Sequence, residues 1–280
     1  EEEGIKVEKG RWGKFYLIKS KKKNAKETGG DDLVEDLFSL GAAVVESADE
    51  IGQGLLGLTE EEQKRIGLQF HNQLRKKHGI LGQGAWLGRF RKLAAPFEKA
   101  LSREDVDLQY YLVEAEEVNA FAHVGGYVYV NTGLLDIVSS DVELQFVLGH
   151  EIAHLEFGHC EQMVTYAARA RGLGAALGGE LGAGSGELIS SLLYQTLSCS
   201  YSEDQELACD KWSYLVMRKA GISHEDCCAM SRKFLSRAGT AKTGVQRRGS
   251  PAGKVASELD HHFRTHPPAR ERLEALEQLK

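Results

Sequence analysis

Two histidines four residues apart enclose a glutamate in the run His150-Glu151-Ile152-Ala153-His154. On a helix, residues at i and i+4 share a face, so both imidazoles can reach one ion. Glu151 lies beside them, placed to take a proton from a metal-activated water, and the chemistry so permitted is hydrolysis. With 10 His and 29 Glu in 280 residues, about 0.04 chance occurrences are expected, so composition alone does not account for the pattern. Leu144, Val147, Leu148, Ile152 and Leu155 supply the apolar side of the helix that would carry it.

A catalytic zinc site needs a third protein ligand and an open position. His159 falls outside the spacing that would supply that ligand nearby, so it is sought downstream. Glu206 and Asp210 are four apart in Ser202-Glu203-Asp204-Gln205-Glu206-Leu207-Ala208-Cys209-Asp210 and share a face. One carboxylate could bind the metal while the other accepts the second N–H of a ligating histidine. Taken alone, such a pair is also the pattern of an ordinary solvated face.

The elements that position these residues follow from periodicity and turn chemistry. Leu37, Leu40, Val44, Val45, Ala48 and Ile51 fit an amphipathic helix within 33–58. Thr59 before Glu60, Glu61 and Glu62 opens a helix over about 60–78, and another is expected over 86–101. Tyr110 to Glu114 and Tyr127 to Val130 read as strands, with Gly125-Gly126 as the turn before the second. Ser139, Ser140 and Asp141 start a helix running to about Cys160. A Gly-rich stretch at 172–186 precedes a long helical pattern over 187–219. A shorter helix follows Ser223, 239–256 reads as a mobile loop, and a last helix begins near Pro267 or Pro268.

The totals exclude several classes. A net charge of -6 gives no global pull toward nucleic acid, and no nucleic-acid partner is expected. No run reaches 18 apolar residues, so no membrane-spanning helix is evident. The chain opens on Glu1, so an upstream segment is expected to have been removed, and a targeting sequence or anchor could have gone with it. The basic run from Lys19 to Lys26 reads as a solvated tail, or as a contact for anionic lipid. Five cysteines, with no metal-type pair, read as buried free thiols.

Four blocks in order carry a resemblance. They are Asn119-Ala120-Phe121-Ala122 with Gly125-Gly126 and Thr132-Gly133-Leu134-Leu135; Leu148-Gly149-His150-Glu151-Ile152-Ala153-His154; Ser202 to Asp210; and Thr265-His266-Pro267-Pro268 with Arg272 and Leu273. Together they resemble the gluzincin metallopeptidases of the HtpX, BepA and CAAX prenyl endopeptidase family, peptidase family M48. The resemblance covers roughly 59–276.

It implies an α+β fold: a mainly helical zincin-like domain over 59–280, with a small sheet whose edge strand lines the active-site cleft. Residues 1–58 would form an N-terminal extension. It implies one zinc per chain on His150, His154 and Glu206, with Glu151 as base and Asp210 as the partner of a ligating histidine. Gly126, Tyr127, Val128 and Tyr129 would hold the substrate backbone at the sheet edge. His266 would donate to the developing oxyanion, act as a fourth ligand in a closed state, or simply bond backbone at a helix entry. The implied function is zinc-dependent endopeptidase action on peptides or proteins, in quality control of misfolded or membrane-associated proteins. The location would be the cell envelope or a membrane surface. A zinc-retaining, chaperone-like module with little activity is the alternative, encouraged by Glu203 where the family carries Arg. Cys209 in place of Ala, His123-Val124 in place of x-Pro, and Arg264 in place of Ser are further departures. The 172–186 segment is expected to form a lid or membrane-facing loop.

Overall fold

A computed structural model describes residues 58–170, 201–243, His266 and 270–279. The expected helix within 33–58, the basic run and the 172–186 segment lie outside these residues, apart from Leu58.

Thr59 opens α1 (Glu60–Lys77) by a capping box: its hydroxyl accepts from the Glu62 N–H, and the Glu62 carboxylate accepts from the Thr59 N–H. Ile66, Phe70 and Leu74 recur at helical spacing and are buried on one face, against the sheet. That sheet has four strands, β1 (Gly79–Leu81), β2 (Gln109–Glu114), β3 (Ala120–His123) and β4 (Tyr127–Asn131), in the order β1-β2-β4-β3. β2 and β4 run parallel, and the other two pairs are antiparallel.

Strand β4, expected at the sheet edge, is interior: it pairs with β2 on one side and β3 on the other. Among the described residues, the strand at the edge beside it is β3. The cause is the Gly125-Gly126 turn, where both residues have φ +84 and fold β3 straight back onto β4. A Cβ at Gly126 would stand 2.0 Å from the Asp107 carbonyl oxygen, so side chains are excluded there by space as well as conformation. The Asn131 N–H to Asn119 oxygen bond sets the pairing phase. Phe121 and His123 therefore turn their backbone groups toward β4, while Ala120 and Ala122 turn theirs to the other side.

The helices pack against this sheet and each other. α2 (Ala85–Glu98) buries Leu87, Phe90, Leu93, Ala94 and Phe97. A one-and-a-half-turn α3 (Thr132–Ile137) follows β4, and then comes α4 (Asp141–Glu156). Ser140 caps α4 by accepting from the Glu143 N–H, and every residue from Glu143 to Leu155 is buried. α4 is thus a central helix, not a surface one, although His150, Glu151 and His154 lie on it. The expected run to Cys160 is split in two. Gly158 takes φ +69, which ends α4 and lets the chain re-enter helix as α5 (His159–Ala170).

The long helix expected over 187–219 is interrupted within the described residues. Tyr201 and Ser202 lie outside helix, Ser202 in an extended conformation, and Ser202 forms a capping box with Gln205 that starts α6 (Glu203–Lys219). Glu203, the departure from the family's Arg, is exposed in the first turn of α6, where a negative charge suits the helix dipole. α7 (His224–Thr243) is longer than expected and takes in the first residues of the expected 239–256 loop. The last helix, α8, spans Arg270–Glu277. Cys160, Cys209, Cys227 and Cys228 are buried free thiols, as read from the sequence.

Behind β4, a buried chain of hydrogen bonds fixes three side chains. His123 Nδ1 is 2.9 Å from the Val124 carbonyl, so it carries the proton. Its Nε2 then accepts from the Tyr129 hydroxyl at 3.1 Å, and that hydroxyl accepts from His71 Nδ1 at 2.9 Å. Burial lowers the His123 pKa to about 3. The folded value lies below the unfolded one, so the unfolded chain binds more protons between the two and stability falls as pH falls. Between pH 7 and 5 this single histidine is expected to remove about 2 kcal/mol. Urea unfolding at both pH values checks it, because His123→Asn should flatten the difference by that amount.

Candidate metal centre

Two adjoining helices and the C-terminal segment meet at one point. α4 presents His150 and His154 one turn apart, and α6 presents Glu206 from its first turn. Gly149 allows the approach: a Cβ there would lie 2.4 Å from the Phe97 ring of α2 and 2.4 Å from Ser213 Oγ of α6. His266 reaches in from the segment before α8.

The ligand atoms of His150, His154, Glu206 and His266 all lie within 4.8 Å of one another, and all four residues are buried. His150 Nε2 and His154 Nε2 are 3.2 Å apart. Glu206 Oε2 is 3.4 Å from His150 Nε2, and its Oε1 is 3.5 Å from His154 Nε2. His266 Nδ1 lies 3.2 Å from His150 Nε2 and 3.0 Å from Glu206 Oε1. Bonds of about 2.0–2.1 Å to a tetrahedral zinc separate its ligands by roughly 3.3 Å, so this donor set fits zinc in both chemistry and spacing.

The charges around the point agree. Burial alone would depress the His150 pKa, but Glu206 and Asp210 outweigh it and raise it to about 10, which shows that a positive charge is favoured there. Burial holds His154 well below its ordinary value. Burial works against ionising Glu206, yet Arg272, His266 and His150 keep its carboxyl well below the usual range. Asp210 accepts from His150 Nδ1 at 2.9 Å and fixes that ring. Arg272 then clamps both acids: Nε and Nη2 each reach an Asp210 oxygen at 2.7 Å, and Nη1 reaches Glu206 Oε2 at 2.5 Å.

Glu151 is buried, and burial raises its pKa. The Ala122 backbone on β3 works the other way and favours its carboxylate, and its Oε1 has no hydrogen-bond partner among the described residues. His266 Nε2 stands 3.6 Å from that oxygen.

The geometry thus gathers His150, Glu151, His154, Glu206, Asp210 and His266 at one point. Gly126, Tyr127, Val128 and Tyr129 belong to the turn and interior strand, where the Tyr127 and Tyr129 rings join a stack with His71 and Tyr111. Two participants go beyond the residues expected from the sequence. Arg272 was visible only as a member of its motif block. His159, which sequence reasoning does not place at the metal, has its Nδ1 3.0 Å from His154 Nδ1. Its five-residue offset from His154 gives no helical signal, because the Gly158 break intervenes.

Several known metalloproteases are similar to this chain. The chain is 28% identical over 206 residues to the metalloprotease YcaL of Escherichia coli (strain K12), covering 72% of this chain and 71% of that protein. It is 33% identical over 119 residues to the metalloprotease LoiP of the same organism, covering 41% of this chain and 47% of LoiP. The protease HtpX of Xylella fastidiosa (strain M12) is 32% identical over 193 residues, 59% of this chain and 64% of that protein. The match thus spans less than two thirds of LoiP and of HtpX. A sequence profile of peptidase family M48 matches residues 86–280, well over half of the chain, and the chain belongs to that family.

Proposed function

We propose that this chain is a zinc-dependent endopeptidase in which His150, His154 and Glu206 hold the metal and Glu151 is the base. The observation that carries the reading is the convergence of three buried nitrogen and carboxylate ligands beside a buried, unpaired Glu151 oxygen. When bound, zinc acidifies a water and polarises the scissile carbonyl. Glu151 takes the proton of the attacking water and passes it to the leaving amine, a role its burial-raised pKa suits. Asp210 holds His150 in the tautomer that leaves Nε2 free, and Arg272 balances the two acids.

The extended substrate is placed on β3, not β4. Ala120 and Ala122 turn their backbone groups away from β4, and the Ala122 backbone lies on the side of β3 that favours the Glu151 carboxylate. A peptide added there by main-chain hydrogen bonds brings its carbonyl to the base. The catalytic unit is residues 59–280, supported by the capping box at Thr59 and the packing of Leu58 on the core. Unfolded or membrane-associated proteins at the cell envelope are the substrate class proposed, as the family resemblance implies. Among the described residues, no helix is long and apolar enough to cross a membrane.

A second observation refines the first. Catalytic zinc keeps one position open, whereas His266 fills out a fourth ligand in this conformation. We read this as a closed, latent state that opens when His266 withdraws. His266→Ala is expected to keep about one zinc per chain, bind it more weakly, and cleave unfolded casein faster from the first minutes. A loss of cleavage with zinc retained would instead assign His266 to the oxyanion. The endopeptidase reading itself is tested by mass spectrometry of casein fragments, with chelation by 1,10-phenanthroline abolishing cleavage. Zinc bound without any cleavage, even after His266 is replaced, would favour the chaperone-like alternative.

A further inference from the structure

We propose that His159 is the positioning residue for the ligand His154, accepting the Nδ1–H of His154 and so fixing which nitrogen faces the metal. The inference rests on the zinc reading above and assigns a partner to the second ligand histidine, as Asp210 is the partner of the first.

His154 Nε2 points at His150 Nε2 and Glu206, so that nitrogen must be bare to bind a cation. A neutral imidazole then carries its proton on Nδ1, and the atom facing it is His159 Nδ1 at 3.0 Å. His159 must offer a lone pair there and hold its own proton on Nε2. His154 is wholly buried and His159 is 7% exposed, so an unpaired N–H at this point would be costly. Tyr201 completes the setting: its ring stacks on His154 with centroids 3.7 Å apart and 25° between planes. The Gly158 break makes the geometry possible, since it sets His159 at the start of α5, facing back across the end of α4. The two ligands are thus held by unlike acceptors: a charged carboxylate for His150 and a neutral imidazole for His154.

Cys209 competes for the same nitrogen, with Sγ 3.6 Å from His159 Nδ1. A thiol is a weak donor, so the His154 bond prevails. The trio His154, His159 and Cys209 also has the composition of a small metal site, which the experiment separates.

The test is zinc affinity by chelator competition, with zinc stoichiometry, on the full chain and on His159→Leu, His159→Asn, Cys209→Ala and His154→Ala. Asn keeps an acceptor near the Nδ1 position and Leu does not. We expect His159→Leu to weaken zinc binding 10- to 100-fold, and His159→Asn to remain within a few-fold of the parent. Cys209→Ala should leave affinity unchanged. In the zinc-loaded parent, a slowly exchanging Nδ1–H of His154 should appear in nitrogen-15 spectra and vanish in His159→Leu. Equal weakening in the Asn and Leu variants would mean His159 only packs, and no weakening in either would remove its role. Two zinc ions per chain, reduced to one by Cys209→Ala, would make His159 a ligand and overturn the assignment. One zinc in the parent that survives His154→Ala would instead sink the underlying metal-site reading.

Discussion

Glu151→Gln is expected to keep about one zinc per chain while losing casein cleavage by about 10²- to 10⁴-fold. The amide preserves the size of the side chain but cannot take a proton at neutral pH. Glu151 does not belong to the buried group of four ligands, so its replacement removes no ligand. Neutralising it also removes an ionisable group that burial already disfavours, so the fold should be unharmed or slightly more stable. Zinc stoichiometry and fragment mass spectrometry on the same preparation check both halves. Loss of zinc with loss of activity would transfer Glu151 from base to ligand.

The second large effect is expected at a residue that touches no substrate. Arg272→Met should destabilise the metal-free protein by about 3–5 kcal/mol, the usual cost of removing one partner of a buried ion pair. Both carboxylates it faces, Glu206 and Asp210, are about 1% exposed. Without the guanidinium they stand buried and close together, with the His150 and His266 rings left to offset them. Zinc should restore much of the loss, because it supplies positive charge at the Glu206 end. Urea unfolding with and without zinc measures the difference. A change below about 1 kcal/mol in the metal-free protein would mean that the clamp contributes no more than an ordinary surface pair.

Much of the centre was legible from residue types and spacing. The i, i+4 interval on a helix is enough to put His150 and His154 on one face, and the same interval puts Glu206 and Asp210 on another. Which acid binds and which orients was assigned only by the family resemblance. In the structure Asp210 sits at Nδ1 of His150 and Glu206 at Nε2. What stayed hidden has physical reasons. Strand β3 lies at the edge because of a two-glycine turn, and order within a sheet depends on pairing partners that lie far along the chain. Arg272 and His159 act through contacts made only once α8 and α5 have docked. The apolar periodicity expected around α4 was real but incomplete, because a helix buried on all sides carries no clean polar face. The 187–219 pattern ran through Ser202 because apolar spacing continued across it, and the capping box was the better boundary signal.

The long separation between the parts of the centre has a consequence during synthesis. His150 meets His266 across 116 positions, and Asp210 meets Arg272 across 62. A chain emerging from the ribosome carries its hydrolytic helix well before the clamp that steadies the third ligand. Until α8 docks, Glu206 and Asp210 lack the guanidinium that spans them, and a metal would meet an unsteady carboxylate. Proteolytic competence is therefore acquired late.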